Sequence, residues 1–341
     1  MATIKELKEL ALHAARGTAP AEYTASNVDE ALRGELAQMC SSINNFMRNR
    51  YDIYDIIIET ADEIVPTKVI DVMGSFAEIK SVPQGQKAIF KRGLVGRNRA
   101  KKFLTQVGLS GVYESFRLDN ETFELGGHAI GGAASIDFER FLDGAENMAD
   151  LMDIITEGLT DAVFGEVQKA LVAAFNVMPD TNKSTNSTFI PKEMLRIVNV
   201  VKAYGGNAVI FATPEFVGEM GPDAIAPNTY HDDDIDAIHK TGRIKIFRGT
   251  PIVEIPQSFV DENNVQTWIN PQNAYILPTG KEKVVKIVFE GNTQVWDLKN
   301  PDNSMEIHTY KKIGTAIMTY HNWGIYQNTG IANNSYDPYG F

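Results

Sequence analysis

The feature that most constrains this chain is the stretch 135–176, its longest uninterrupted helical pattern. Phe138, Leu142, Met148, Met152, Ile155, Leu159, Val163, Val167 and Leu171 recur mostly at spacings of three and four. That is one apolar stripe on a helix of 3.6-residue period. Asp137, Glu139, Asp143, Glu146, Asp150, Asp153, Glu157 and Asp161 fill much of the remaining surface, and Pro179 forbids continuation. Such a helix is roughly 60 Å long, beyond the usual size within a globular domain. It reads as a spine on which other elements lean, with Gly144, Gly158 and Gly165 as candidate bends. A spine is an architectural device, not a catalytic one.

Ahead of the spine, Thr3-Ile4-Lys5-Glu6 spells a capping box. It opens an amphipathic helix with Ile4, Leu7, Leu10, Ala11 and Ala14 on one face, closed by Gly17. With the linker 18–25 this forms an arm whose apolar area is too small to fold alone. The arm either packs back on its own domain or docks on a neighbour. Residues 27–63 carry a second helical pattern, with Ile56-Ile57-Ile58 ambiguous, and Pro66 is expected to stop it. From Val69 the period shifts towards two, through Ile70, Val72, Phe76 and Ile79. A turn at 83–86 leads to a strand at 87–92 and then a basic, glycine-bearing loop, 92–102, with Arg92, Arg97, Arg99, Lys101 and Lys102. A strand-like pattern at 112–118 turns at Asp119-Asn120 and returns through 122–125. A basic tip in an acidic protein fits an extended arm meeting an acidic surface, a neighbouring copy's included; it equally fits a solvated hairpin.

Beyond the spine, the sequence predicts a helix over Pro191–Ala203, a buried strand at 207–212 and a helix from Thr213 carrying Phe216 and Val217. A short strand holds Ile244 and Ile246, a tight turn enters another at 249–256, and two more follow at Asn273–Pro278 and 284–289. This mixing describes an α+β unit. Late strands are expected at 304–309 and 316–320, and the aromatic end, 336–341, is a poor candidate for a free tail.

A chain of 341 residues suffices for one large or two ordinary domains. Its net charge of -12 argues against DNA or an anionic membrane as a non-specific partner. Cys40 stands alone, so no intrachain disulfide forms, and a reducing, cytoplasmic origin fits. The N-terminus lacks an apolar signal core, and no run approaches the ~20 apolar residues needed to cross a bilayer.

Chemistry is sparse. Gly126-Gly127-His128-Ala129-Ile130-Gly131-Gly132 resembles a phosphate loop only superficially, because the lysine such a loop needs is replaced by Gly132. It reads as a hinge between the β excursion and the spine. His231-Asp232-Asp233-Asp234, with Asp236 and His239, is a metal-like cluster, but its spacing matches no calcium loop and no paired-histidine zinc helix. A solvated acidic loop and a structural cation site both stay open there. No nucleophile elbow or His-Glu-x-x-His motif is present. No residue is therefore assigned as catalytic, cofactor-binding or metal-ligating, and no cofactor is expected.

The order of parts resembles the major capsid protein of tailed bacteriophages, the Hong Kong ninety-seven fold. Gly249-Thr250-Pro251-Ile252-Val253, Ile276-Leu277-Pro278 and Val284-Val285-Lys286-Ile287 are similar to strands of that family's axial domain. Tyr320-His321-Asn322-Trp323-Gly324-Ile325 resembles its closing segment, and Asp137-Phe138-Glu139 its entry to the spine. The resemblance implies an α+β fold divided into an N-terminal arm and helix (1–66), an extended β loop region (67–134), the spine of a peripheral domain (135–189), an axial domain (190–300), and return strands with a tail (301–341). It implies a non-enzymatic, structural subunit that self-assembles in hexamers and pentamers into an icosahedral head enclosing double-stranded DNA. Scaffolding, portal and decoration proteins are candidate partners, DNA binding would not be sequence-specific, and no membrane is involved. The location is the virion, after assembly in the host cytoplasm. Only about 25 residues precede the second helix, too few for a folded scaffold domain, so a separate scaffold or none is expected. The lysines Lys87, Lys91, Lys101 and Lys102 lie in the loop without an assignable crosslink partner. The alternatives are an encapsulin-like compartment shell and, from the 231–239 cluster, a metal-dependent enzyme.

Overall fold

The computed structural model describes residues 3–19, 25–74, 76–92, 121–136, 148–204, 207–220, 246–255, 257, 259, 263–267, 269–279, 283–299, 305–317 and 321–335. Helix α1 (Ile4–Arg16) begins at the expected capping box. The Thr3 hydroxyl accepts from the Glu6 N–H at 3.4 Å, and the Glu6 carboxylate accepts from the Thr3 N–H at 2.7 Å. It ends at Gly17, whose φ of 63° suits a residue without a side chain. The arm packs back: Leu7, Leu10 and Ala11 are buried against α2 (Ala25–Met39) and α3 (Ile43–Met73). Lys8 meets Glu59 at 2.6 Å, and Arg16 meets Glu63.

The single helix expected over 27–63 is thus two. The chain breaks after Met39 and restarts at Ser42, whose hydroxyl accepts from the Asn45 N–H at 3.2 Å, a capping signal that apolar periodicity passes over. Nor does Pro66 end α3. A proline inside a helix costs about 3 kcal/mol. The core-facing stripe continues past it through the buried Val65, Val69 and Met73, each side chain gaining about 1.5–3 kcal/mol from burial. Val69, Ile70 and Val72 are therefore helical, and the first strand is β1 (Ala77–Val82).

Helix α4 (Met148–Val177) is the described part of the spine, with Met152, Ile155, Leu159, Val163, Val167 and Leu171 buried as the stripe predicts. Its 30 residues span about 45 Å. The spine does not start at Ser135: residues up to Ile136 belong to strand β4 (His128–Ile136), where pairing with a neighbouring strand overrides the weak pattern of small residues. Residues 137–147 lie outside the described set.

A four-stranded sheet runs in the order β1–β10–β11–β4, with β10 (Val285–Lys299) and β11 (Met305–Ile317) as its centre. The separate strands expected at 284–289, 304–309 and 316–320 are replaced by this one long antiparallel hairpin. A bulge between Glu290 and Gln294 bends it, with Gly291 at a φ of 68°. Helices α3 and α4 pack on the sheet at β10 and β11. The 126–132 stretch is no hinge. Its residues from His128 onward pair with β11, and a Cβ on Gly131 would lie 2.1 Å from the Thr309 carbonyl oxygen. Glycine there permits close backbone approach.

A six-stranded sheet runs β5–β12–β9–β6–β8–β7. Its strands are β5 (Lys183–Asn186), β6 (Ala208–Ala212), β7 (Ile246–Phe247), β8 (Thr250–Glu254), β9 (Asn273–Pro278) and β12 (Gly324–Asn328). Helices α5 (Pro191–Ala203) and α6 (Pro214–Met220) pack against it through Met194, Ile197, Phe216 and Val217. The stretch 190–300 accordingly divides between two sheets, since β10 joins β1 and β11, while β12 returns from the late segment to this one. The closing segment is anchored by Asn182, which donates to the carbonyls of His321 at 2.8 Å and Trp323 at 2.7 Å. Trp323 itself is fully buried.

Candidate assembly site at the root of the basic hairpin

Strands β2 (Ala88–Arg92) and β3 (Glu121–Leu125) pair antiparallel, Ala88 opposite Leu125 and Arg92 opposite Glu121. Residues 93–120, with Arg97, Arg99, Lys101 and Lys102, join these strands and lie outside the described set. The root of the hairpin is a small core of its own. Phe90 and Ala88 are buried against Val288 of β10, flanked by Val82 and Leu125. The Lys80 ammonium sits 4.3 Å from the Phe90 ring centroid and donates to the Ile89 carbonyl at 2.8 Å; Lys286 lies 5.5 Å from the same ring. Lys286 is buried and pairs with Glu78, which Lys80 also meets at 3.3 Å. Burial alone would raise the Glu78 pKa, but the hydrogen bonds and charges of Lys286 and Lys80 outweigh it and hold the group below the usual carboxylate value.

Glu290 bridges the two ends of the same hairpin. One carboxylate oxygen accepts from the Gly85 N–H at 2.9 Å, just ahead of β2. The other accepts from the Gly127 N–H at 3.2 Å, just after β3. Lys312 of β11 donates to the first oxygen at 3.1 Å. The Gly85 hydrogen bond, then Lys312 and Gly127, hold the Glu290 carboxyl below its ordinary value. A third tie joins helix to sheet. One Asp62 oxygen accepts from the Thr293 N–H at 2.9 Å and the Thr293 hydroxyl at 2.6 Å, and it also takes the buried Lys311 ammonium. This fixes the β10 bulge to α3. Each of these charges is spent on backbone or an opposite charge, so the arrangement fixes how β1, α3 and the hairpin root sit on the sheet.

Of the residues singled out in the sequence, Lys87 and Lys91 stand on the described hairpin, and Lys87 meets Glu124 at 3.8 Å with both side chains exposed. The cluster His231, Asp232, Asp233, Asp234, Asp236 and His239 lies outside the described residues. Among the described residues no group of three or more His, Cys, Asp or Glu is placed to hold a metal ion. Cys40 is buried, which pushes its thiol up to about 12 and suits a small core side chain. Sequence reasoning passed over Glu78, Glu290 and the Asp62–Lys311 pair. The available signal was Lys286 and Glu290 interrupting an otherwise apolar strand on the side that also carries Val288.

A family model described as "SPbeta prophage-derived putative capsid protein YonB" matches residues 7–327. A search of curated proteins finds no match. Among solved structures the chain is similar to one in the satellite phage P4 procapsid including size determination (Sid) protein. That pair has 12% identity and a TM-score of 0.51, over 78% of this chain and 90% of the other. It is similar to bacteriophage PhiM1 mature capsid at 11% identity and a TM-score of 0.50, over 76% and 87%. For Mycobacterium phage Bobi the values are 13% and 0.50, over 76% and 90%.

Proposed function

Because this chain belongs to the YonB capsid-protein family, whose model spans residues 7–327, we propose that it builds a closed icosahedral head from hexamers and pentamers of itself. The chain is a structural major capsid protein with the α+β fold of Hong Kong ninety-seven type. The observation that carries the reading is the extent of the family match, which takes in arm, hairpin, spine and both sheets. In this reading the four-stranded sheet with α3 and α4 forms the peripheral domain, and the six-stranded sheet with α5 and α6 the axial domain. Strands β2 and β3, held by Glu290, Glu78 and Phe90, lead into the stretch 93–120 that contacts a neighbour in this reading.

The head encloses double-stranded DNA without sequence-specific contacts, and the net charge of -12 supports a wall that does not trap its contents. Scaffolding, portal and decoration proteins are the expected partners. The role is structural rather than enzymatic, and the protein works in the virion after assembly in the host cytoplasm. No described helix is long and apolar enough to cross a membrane.

Expression of the chain, followed by size exclusion and negative-stain electron microscopy, tests the reading. Closed shells or capsomer rings are expected, alone or with a scaffold supplied. Monomers only, under both conditions, would overturn it.

A further inference from the structure

The family match stops at residue 327, and the chain runs on to Phe341. The first part of that remainder is tied down step by step. The Asn328 N–H donates to the Gln272 carbonyl at 2.8 Å, and the Thr329 N–H to the Asn186 carbonyl at 2.8 Å. The Gln272 side-chain amide donates to the Ile331 carbonyl at 2.8 Å, and the Asn334 carbonyl accepts from the Thr267 N–H at 3.0 Å. The stretch that receives most of these bonds is braced in turn. The Gln257 amide donates to the Ile269 carbonyl at 2.7 Å and accepts from the Ile269 N–H at 2.9 Å. The extension is thus delivered to a fixed place, and the aromatic end, 336–341, lies outside the described residues.

At that place a ring stands in the open. Phe259 pairs antiparallel with Thr267, and Thr267 pairs parallel with Ser335, so the three lie side by side in that order. Thr267 is buried, yet Phe259 is 54% exposed, and Val265, two residues before Thr267, is 53% exposed. The described residues around them, Gln257, Asn263, Asn264 and Gln266, are polar and uncharged; Asp261 and Glu262 of the same loop lie outside the described set.

We propose that the aromatic end of the chain folds back on its own Phe259, with Tyr339 and Phe341 covering the ring. Reach selects these two. Neighbouring strands lie about 4.8 Å apart, so Phe259 stands about 10 Å from Ser335, which takes at least about three extended residues to cross. Tyr336 follows Ser335 directly and falls short, whereas Tyr339 and Phe341 lie far enough along. Asp337-Pro338 supplies a turn on the way, and Gly340 leaves the backbone between the two rings free to bend. Tethering selects the chain's own end over another molecule. A second copy carrying -12 gains no attraction from a loop that holds Asp261 and Glu262. A segment joined at Ser335 is already present at an effective concentration on the order of millimolar. Ring contacts of this kind add to the burial they bring, so the closed end clamps the stretch 257–272 against the end of β12.

Hydrogen exchange of peptides covering 257–269 tests this, in dissociated subunits of the full chain and of a chain ending at Ser335. The Thr267 and Ile269 amides, bonded to Asn334 and Gln257, are the reporters. Without 336–341 they should exchange about tenfold faster. Phe259→Ser in the full chain should give the same rise, and joining it to the truncation should add nothing, because both remove one contact. If the truncated chain fails to fold, Tyr339→Ser with Phe341→Ser replaces it. Protection in the full chain should survive dilution by about a hundredfold, as an intramolecular contact does. Protection lost on dilution would put a second copy on Phe259 and overturn the proposal. Equal exchange with and without the aromatic end would overturn it, and so would additive effects of the two changes. None of these results bears on the capsid reading, which stands or falls by assembly.

Discussion

Around the six-stranded sheet no charged side chain is buried among the described residues, and the few buried polar ones, Asn182, Thr250, Asn273 and Asn328 among them, are uncharged. Met194, Ile197, Val198, Val201 and Ile210 close on Phe216, Phe247 and Tyr326, with Phe189 edge-on to Phe216 at 6.3 Å and to Phe247 at 6.1 Å. Around the four-stranded sheet, Lys286, Glu290 and Lys311 are buried within the strands, and among the described residues no other charged side chain is. Each of the three reaches a different neighbour: β1 through Glu78, the hairpin root through Gly85 and Gly127, and α3 through Asp62. Apolar packing is non-directional and gives one unit its stability. Paired charges add little net stability but fix one orientation over another. The contrast therefore separates a unit held by packing from one whose attachments to β1, the hairpin root and α3 are oriented by paired charges.

The comparison breaks first, and hardest, in the apolar unit. Phe216→Ala should cost about 3–5 kcal/mol, the range for emptying a packed aromatic site, read from urea unfolding of dissociated subunits. A loss under about 1.5 kcal/mol would mean the site collapses easily and the unit is less tightly packed than its ring contacts indicate.

Next comes the tie between α3 and the bulge. Asp62→Ala leaves the Lys311 ammonium buried without its carboxylate and should cost about 3 kcal/mol. Adding Lys311→Met should restore most of that, because an apolar side chain of similar length removes the stranded charge. A double variant no more stable than Asp62→Ala would show that Asp62 acts chiefly through Thr293 and not through Lys311.

The hairpin root gives a smaller but more specific effect. Glu290→Gln removes one acceptor and turns a donor towards backbone N–H groups, costing about 1–2 kcal/mol. The local signature should exceed the global one: trypsin should cut at Lys87 and Lys91 faster while the midpoint for unfolding moves little. The pH dependence has a defined sign. Glu290 and Glu78 both have folded pKa values below 4.5, so the stability they lend is full above that value and is lost as pH falls through the lower folded values. Wild type should weaken over that acid window more steeply than Glu290→Gln. Parallel curves would remove Glu290 from the account.

How much of this was legible depends on the range of the interaction. The spine stripe from Met148 onward, the capping box at Thr3 and the α5 helix follow from spacings within a few residues, and they are where the sequence placed them. Pro66 misled because a local rule worth about 3 kcal/mol met a longer-range burial of Val65, Val69 and Met73 that outweighs it. The β4 strand was hidden because its glycines and alanines take meaning only beside Thr309 and Tyr310, far along the chain. Glu290 was hidden for the same reason: its partners Gly85 and Gly127 are 205 and 163 residues away in sequence. Pairing across such distances leaves no periodic trace.

The smallest expected effect sharpens the comparison from the other side. On the arm, Lys8 meets Glu59 at 2.6 Å and Asp55 at 3.7 Å, and Arg16 meets Glu63, a set of charges as neatly paired as those under the sheet. They differ in exposure, since both acidic partners of Lys8 face water. Exposed pairs of this kind contribute about 0.2–1 kcal/mol, because solvent screens them and ordering two long side chains offsets the attraction. Hydrogen bonding to Glu59 raises the Lys8 pKa, so whatever it lends is present at neutral pH and lost only as pH rises through that elevated value. Lys8→Met keeps the stem that covers α1 and should shift stability by no more than about 0.5 kcal/mol. A loss near that of Asp62→Ala would mean that ion pairing as such, and not its burial, ties this subunit together, and the contrast between the two sheets would lose its physical basis.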